Sequence, residues 1–178
     1  MADPTRIRLI VTDVDGVLTD GRIVYVEGNR ELKAFHVRDG LGVKLAQRCG
    51  IAVAVVTSRR SEALERRCRE LGITEVRQGA VSKSEEMLKL IGSLGMSPEE
   101  ICYIGDDLPD LAPMIAAGLS AAPADAAAEV RRAAVWKLEA VGGGGALREL
   151  VERLLRERGE WAAIVREFES GRPETQSV

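Results

Sequence analysis

An apolar run that ends on two carboxylates constrains this chain more than any other stretch. Residues 7–20 read IRLIVTDVDGVLTD. Ile7, Leu9, Ile10 and Val11 form a short, nearly continuous aliphatic run, the pattern of a strand covered on both faces of a sheet. Asp13 and Asp15 follow it one residue apart. Taking two ionised carboxylates into a sheet interior would cost on the order of several kcal/mol each. The strand must therefore stop there, with its acids facing an open crevice where a magnesium ion can offset their charge. Asp15-Gly16 is also an ordinary turn pair, which is the plainer reading of the same residues. A second acidic cluster tips the balance. It follows another apolar run in ICYIGDDLPD, residues 101–110, and two clusters at strand ends can converge on one ion.

The rest of the chain alternates strands and helices. Asp39 is placed as the cap of a helix that runs to Cys49 and ends at Gly50, and Ile51–Thr57 reads as an all-apolar strand. Ser61–Leu71 is the next helix, stopped by Gly72, and Thr74–Gln78 a short strand. Ser82-Lys83-Ser84-Glu85 has the spacing of a capping box at the start of a helix to Leu94; Ser97-Pro98-Glu99-Glu100 repeats it before strand Ile101–Ile104. Leu108–Ala117 reads as helix, Leu119–Ala122 as strand, Asp125 as the cap of a helix to Ala133, and Val135–Leu138 as a last strand. This order predicts an α/β fold with a doubly wound parallel sheet, whose ligand crevice lies beyond the carboxyl ends of the strands. Asp13, Thr57 and Asp106 all fall at such ends.

Two segments stand outside that rhythm. Residues 21–37 read as a β-hairpin flap, with Ile23 and Tyr25 on one arm, Leu32, Ala34 and His36 on the other, and Glu27-Gly28-Asn29 between. A lone hairpin has too few neighbours to be stable in water, and another subunit could cover it. Gly142–Gly145 precede an amphipathic helix with Leu147, Leu150, Val151, Leu154 and Leu155. Glycines opening a helix can cradle phosphate, but this loop lacks the lysine of a nucleotide-binding loop and reads better as a hinge. Residues 1–169 form one expected domain, and the polar tail 170–178 is expected to be disordered.

The formal net charge of −3, with two each of Phe, Trp and Tyr, argues against nucleic-acid binding, which needs a basic stripe and stacking platforms. No apolar stretch approaches the length needed to span a bilayer, and no leader precedes the first strand, so no membrane partner and a cytoplasmic location are expected. Cys49, Cys68 and Cys102 are odd in number and lack metal-site spacing, and are read as reduced thiols in or near the core.

DVDGVLTDG, VVTSR, Lys83 and GDDLPD, in that order, resemble the four motifs of the haloacid dehalogenase superfamily of phosphohydrolases. The span from Arg6 to about Gly159 resembles its 3-deoxy-D-manno-octulosonate 8-phosphate phosphatase family, chiefly in FHVRDGLGVKLA, GDDLPDL and GGGGALRE. The resemblance implies a Rossmann-like haloacid dehalogenase fold without a large cap domain. It implies magnesium-dependent hydrolysis of that sugar acid phosphate, in lipopolysaccharide sugar biosynthesis, by a homotetramer in which the hairpins pack together. Asp13 would attack to form an aspartyl-phosphate, and Asp15 would protonate the leaving oxygen and later activate water. Asp13, the backbone carbonyl of Asp15, and Asp106 would hold the metal. With no cap, a neighbour's hairpin or C-terminal segment would limit solvent access, so removing residues after Gly159 is expected to slow turnover without unfolding the core.

Other candidates rest on chemistry at strand and helix ends. Thr57 could donate its hydroxyl to a phosphoryl oxygen, or simply close a β-branched strand. Lys83 sits in the first turn of a helix, where its charge opposes the macrodipole, and an unfavourable place suggests a task such as binding phosphate. Three adjacent carboxylates cannot all approach one ion, so Asp107 is placed in the outer shell or holding Lys83, and Asp110 as an orienting or merely structural acid. Arg59 is the first choice for the substrate's carboxylate; family members acting on the eight-carbon acid carry arginine there. Arg38 and Arg148 are weaker candidates, and His36 is read as an interface or packing residue. Two alternatives accompany this reading: a phosphatase for a nine-carbon, sialic-type ulosonate, and a non-catalytic oligomerisation module like those fused to sugar-acid cytidylyltransferases.

Overall fold

A computed structural model of the chain describes residues 3–27 and 30–171. Gly28 and Asn29, expected from the sequence to lie in the hairpin turn, and the tail from residue 172 lie outside the described residues. Six strands form one parallel sheet: β1 (Leu9–Thr12), β4 (Ala52–Thr57), β5 (Glu75–Gln78), β6 (Ile101–Ile104), β7 (Leu119–Ala122) and β8 (Trp136–Lys137), in the order β5-β4-β1-β6-β7-β8. β2 (Val24–Val26) and β3 (Arg30–Leu32) pair antiparallel as a separate hairpin. The helices are α1 (Val37–Arg48), α2 (Glu62–Leu71), α3 (Lys83–Ser93), α4 (Leu111–Ala116), α5 (Ala128–Ala133), α6 (Ala146–Glu157) and α7 (Trp161–Glu169).

Strand alternation divides the apolar side chains between two layers. Ile10, Val53, Val55, Cys102 and Ile104 face the layer formed by α1, α2, α6 and α7. Leu9, Val11, Ala54, Val56, Ile101 and Tyr103 face α3, α4 and α5. Ile10, Val11 and Ile104 are fully buried, each contributing about 1.5–3 kcal/mol by leaving water. Because both faces are covered, the strands carry no polar alternation, which is why they read as continuous apolar runs.

From β1 the chain builds outward through β4 and β5, then crosses back to β6 on the other side of β1. The crevice forms where the order reverses, at the carboxyl ends of β1, β4 and β6.

Several helix ends differ from the sequence reading. His36 caps α1, its Nδ1 accepting from the Arg38 amide at 3.1 Å, so this side chain has a local task beyond packing. Asp39 lies buried inside the first turn and instead accepts from the Arg148 amide at 2.9 Å, capping α6 from a distant part of the chain. Gly145, the residue at the start of α6, has no side chain for that purpose. Asp125 does not cap α5; it accepts from the Gly142 amide at 2.8 Å, and Ala127 holds the cap position. Residues 108–117 begin as a 3-10 turn before α4.

The four-glycine loop packs closely on the segment after β1 and is not an open cradle for phosphate. A side chain on Gly142 would collide with the Gly16 backbone, and one on Gly143 with the Thr19–Asp20 backbone. The Gly143 amide bonds the Val17 carbonyl at 2.9 Å, so the loop braces the segment that follows β1. α7, absent from the sequence reading, buries Ile164 and packs Trp161 on the core. Cutting after Gly159 would therefore strip apolar cover from the core, contrary to expectation. Cys68 and Cys102 are buried and Cys49 half-buried, all as free thiols, and burial raises the pKa of each. Among the described residues no helix is long and apolar enough to cross a membrane.

Candidate active site

Asp13 is delivered by the end of β1, where its amide bonds the Ile104 carbonyl at 3.0 Å. Its carboxylate is buried: Oδ2 accepts from Lys83 Nζ at 2.9 Å, and Oδ1 has no hydrogen-bond partner. Lys83 opens α3 behind the Ser82 cap and is buried, with its ammonium also bound to Asp110 Oδ1 at 2.7 Å. Burial works against that charge, but the Asp13 and Asp110 carboxylates outweigh it and raise the Lys83 pKa above the ordinary lysine value.

Asp110 is the anchor of this arrangement. It is fully buried and accepts from the Tyr103 hydroxyl at 2.7 Å and from the Asp106 and Asp107 amides at 3.2 and 3.3 Å. Gly105 leaves it the space, since a side chain there would run into the Asp110 carboxylate. The acid that holds Lys83 is thus Asp110 and not Asp107, whose carboxylate caps its own turn through the Leu108 amide at 2.8 Å. Tyr103 was missed because its strand position reads only as core; a buried hydroxyl's need for a partner was the available signal.

Asp13, Asp106 and Asp110 each offer a carboxylate oxygen within 4.8 Å of the others. Both oxygens of Asp110 are already engaged, leaving Asp13 Oδ1 and Asp106. Burial first, then repulsion by Asp110, pushes Asp13 up to about 6. Burial, then Asp13 and Asp110, pushes Asp106 up to about 7. Crowded carboxylates with an unpartnered buried oxygen suit a hard divalent cation. Gly16, with φ of +89°, packs its backbone against the Asp106 carboxylate so closely that a side chain would collide. The main chain of Asp15-Gly16 therefore borders the same spot.

The Asp15 side chain is engaged elsewhere. Its Oδ1 pairs with Lys33, and its Oδ2 lies 3.7 Å from Arg59 Nε. Arg59 and Lys33 both also pair with Glu31, the latter at 2.9 Å. Glu31 and Lys33 went unnoticed in the sequence, where Ile23 and Tyr25 were grouped with Leu32; the register instead sets Val24 opposite Leu32 and Tyr25 opposite Glu31, so Tyr25 shares the inner face. Thr57 ends β4, buried, with its hydroxyl accepting from the Arg59 amide at 3.4 Å.

The fold thus brings Asp13, Asp15, Thr57, Arg59, Lys83 and Asp106 to one crevice of about 340 Å³, with Asp107 and Asp110 on its wall. Arg38 does not line it and is exposed at the start of α1. Arg148 lies away from it, over the Trp161 ring at 5.1 Å. A carboxylate whose charge a cation would offset, a second carboxylate in the same crevice and a buried ammonium form a site suited to holding a tetrahedral dianion and attacking it.

Comparison with known proteins agrees with this chemistry. The family described as haloacid dehalogenase-like hydrolase matches residues 37–118. The 3-deoxy-D-manno-octulosonate 8-phosphate phosphatase of Escherichia coli (strain B / BL21-DE3) is 42% identical over 160 residues, 90% of this chain and 85% of that protein. The crystal structure of the Moraxella catarrhalis phosphatase of the same name, in complex with magnesium, phosphate and KDO, superposes with a TM-score of 0.91 at 36% identity, covering 93% of this chain and 95% of that one. The cobalt-bound deoxy-D-mannose-octulosonate 8-phosphate phosphatase of Haemophilus influenzae gives 0.90 at 38% identity, covering 94% and 99%.

Proposed function

We propose, for a chain that belongs to the haloacid dehalogenase-like hydrolases and within them to the 3-deoxy-D-manno-octulosonate 8-phosphate phosphatases, that it hydrolyses that same sugar phosphate. The observation that carries the reading is the Asp13 carboxylate, buried at the central strand end with one oxygen on Lys83 and the other unpartnered toward Asp106. Asp13 Oδ1, the Asp15 carbonyl and Asp106 would hold magnesium, which supplies positive charge to the phosphoryl oxygens.

Asp13 attacks phosphorus, and its new P–O bond forms as the bond to the sugar oxygen breaks. Asp15, paired as a carboxylate with Lys33 and Arg59 in the resting site, takes a proton from solvent as substrate enters and gives it to that departing oxygen, leaving an aspartyl-phosphate on Asp13. Asp15, now a base, takes a proton from water as the water oxygen attacks phosphorus, and inorganic phosphate leaves. Lys83 neutralises charge on the transferring group, and the Thr57 hydroxyl donates to one of its oxygens. Arg59 is the partner for the sugar's carboxylate and must exchange its pairing with Glu31 to receive it.

The reaction belongs to lipopolysaccharide sugar biosynthesis and to the cytoplasm, and the working form is a homotetramer. The test is phosphate release from 3-deoxy-D-manno-octulosonate 8-phosphate, with magnesium and after chelation, beside Asp13→Asn. Loss of activity by at least about 10³-fold in the variant is expected, together with loss on chelation. Normal turnover by Asp13→Asn would overturn the covalent route. Preference for a nine-carbon ulosonate phosphate would overturn the substrate.

A further inference from the structure

The hairpin turns charge toward the crevice. Leu32, between Glu31 and Lys33, is 49% exposed, whereas the Lys33 side chain is 2% exposed. Alternation along the arm puts Glu31 and Lys33 on one face, and that face meets the segment after β1. A lysine so dehydrated persists only where its charge is matched. In the resting site Asp15 and Glu31 match Lys33 and Arg59, a quartet with no net charge until Asp15 takes up the proton it passes on.

Within that quartet Lys33 controls the direction of Asp15. Its ammonium holds Asp15 Oδ1, and among the described residues the other side-chain hydrogen bond to that oxygen is a long one from Thr19 Oγ1 at 3.5 Å. Among the described residues Asp15 Oδ2 accepts no hydrogen bond, and Arg59 Nε lies 3.7 Å away, beyond hydrogen-bond reach. Resting on the reading of Asp15 as proton donor to the leaving oxygen, we infer that Lys33 is a positioning residue for the reaction. By fixing one carboxylate oxygen it presents the other to the departing alkoxide.

Leaving groups of different need separate this role from a merely structural one. A sugar alkoxide must be protonated as it departs, whereas p-nitrophenolate leaves as a stable anion. First-turnover rates on 3-deoxy-D-manno-octulosonate 8-phosphate and on p-nitrophenyl phosphate report transfer to Asp13 alone. Lys33→Met is expected to slow the sugar phosphate about 10²-fold, the usual consequence of a misplaced catalytic group, and p-nitrophenyl phosphate by less than about threefold, with KM little changed. Lys33→Arg should recover much of the loss. Glu31→Gln, which loosens Lys33 without removing it, should fall between and covers the case in which Lys33→Met does not fold.

Equal slowing of both substrates, or of neither, in the Lys33 and Glu31 variants would overturn the inference. Asp15→Asn, measured alongside, keeps the two levels apart. If it slows both substrates equally, the proton-donor reading of Asp15 fails. If it discriminates and the Lys33 and Glu31 variants do not, only the role of Lys33 fails.

Discussion

Asp110 makes no contact with substrate in the proposed scheme, yet four donors meet on it: Lys83, Tyr103 and two amides. Replacing it by asparagine removes the charge that balances the buried Lys83. Asp110→Asn should cost about 3 kcal/mol of stability, the usual penalty for breaking a buried pair, visible in urea unfolding, and should lower turnover because Lys83 is no longer held at Asp13. The Asp13 and Asp106 carboxylates carry the opposite sign of effect. Burial raises both above the ordinary 3.8, to about 6 and about 7, so without metal their ionised forms weaken the fold. Stability of the metal-free protein should therefore rise as pH falls from about 8 to about 5, as far as these two groups decide it. Magnesium relieves the same repulsion, so the gain in Tm on adding it should be several degrees at about pH 8 and should shrink toward pH 5. A gain that grows on acidification would contradict this.

At the scale of elements, the segment after β1 is held from two sides: by the hairpin through Lys33 and by the glycine loop through backbone contact. Gly142 touches no catalytic side chain, yet a methyl group there would press on Gly16, whose backbone in turn abuts Asp106. Gly142→Ala should lower kcat by about 10²-fold, the scale expected when a site is displaced by about an ångström. The collision should also cost about 1–3 kcal/mol, several degrees of Tm, without abolishing the fold. Full activity with a large loss of Tm would show that the loop matters to folding and not to the site. The same contacts explain why four consecutive glycines precede α6: three of them leave no room for a β-carbon, while the cap of α6 comes from Asp39.

For the whole molecule, the outward face of the hairpin is the feature that a single chain leaves unresolved. Val24, Val26 and Leu32, on the face opposite Glu31, are between 39% and 49% exposed, a clustered apolar surface of the kind that marks an interface. Packing of these faces in the proposed tetramer would cover them and would back the inner face, with Glu31 and Lys33, against Asp15. Leu32→Asp should shift the light-scattering mass from tetramer toward smaller species. It should also lower turnover on the sugar phosphate, since Lys33 loses its backing. A wild-type chain that scatters as a monomer would remove the assembly from the account.

Local and periodic features were legible without coordinates. Apolar runs buried on both faces give strands in any context, so the sheet, its parallel sense and the strand-end positions of Asp13, Thr57 and Asp106 followed from residue type and spacing alone. Motif order was sufficient to name the family. What needed the folded chain was every pairing between distant segments: Asp110 with Lys83, Asp39 with the start of α6, Lys33 with Asp15, and the glycines with Gly16. The physical reason is that a buried charge or an uncapped amide can be satisfied by any suitable partner the fold brings near. One-dimensional spacing states the need for a partner, and only tertiary packing chooses it.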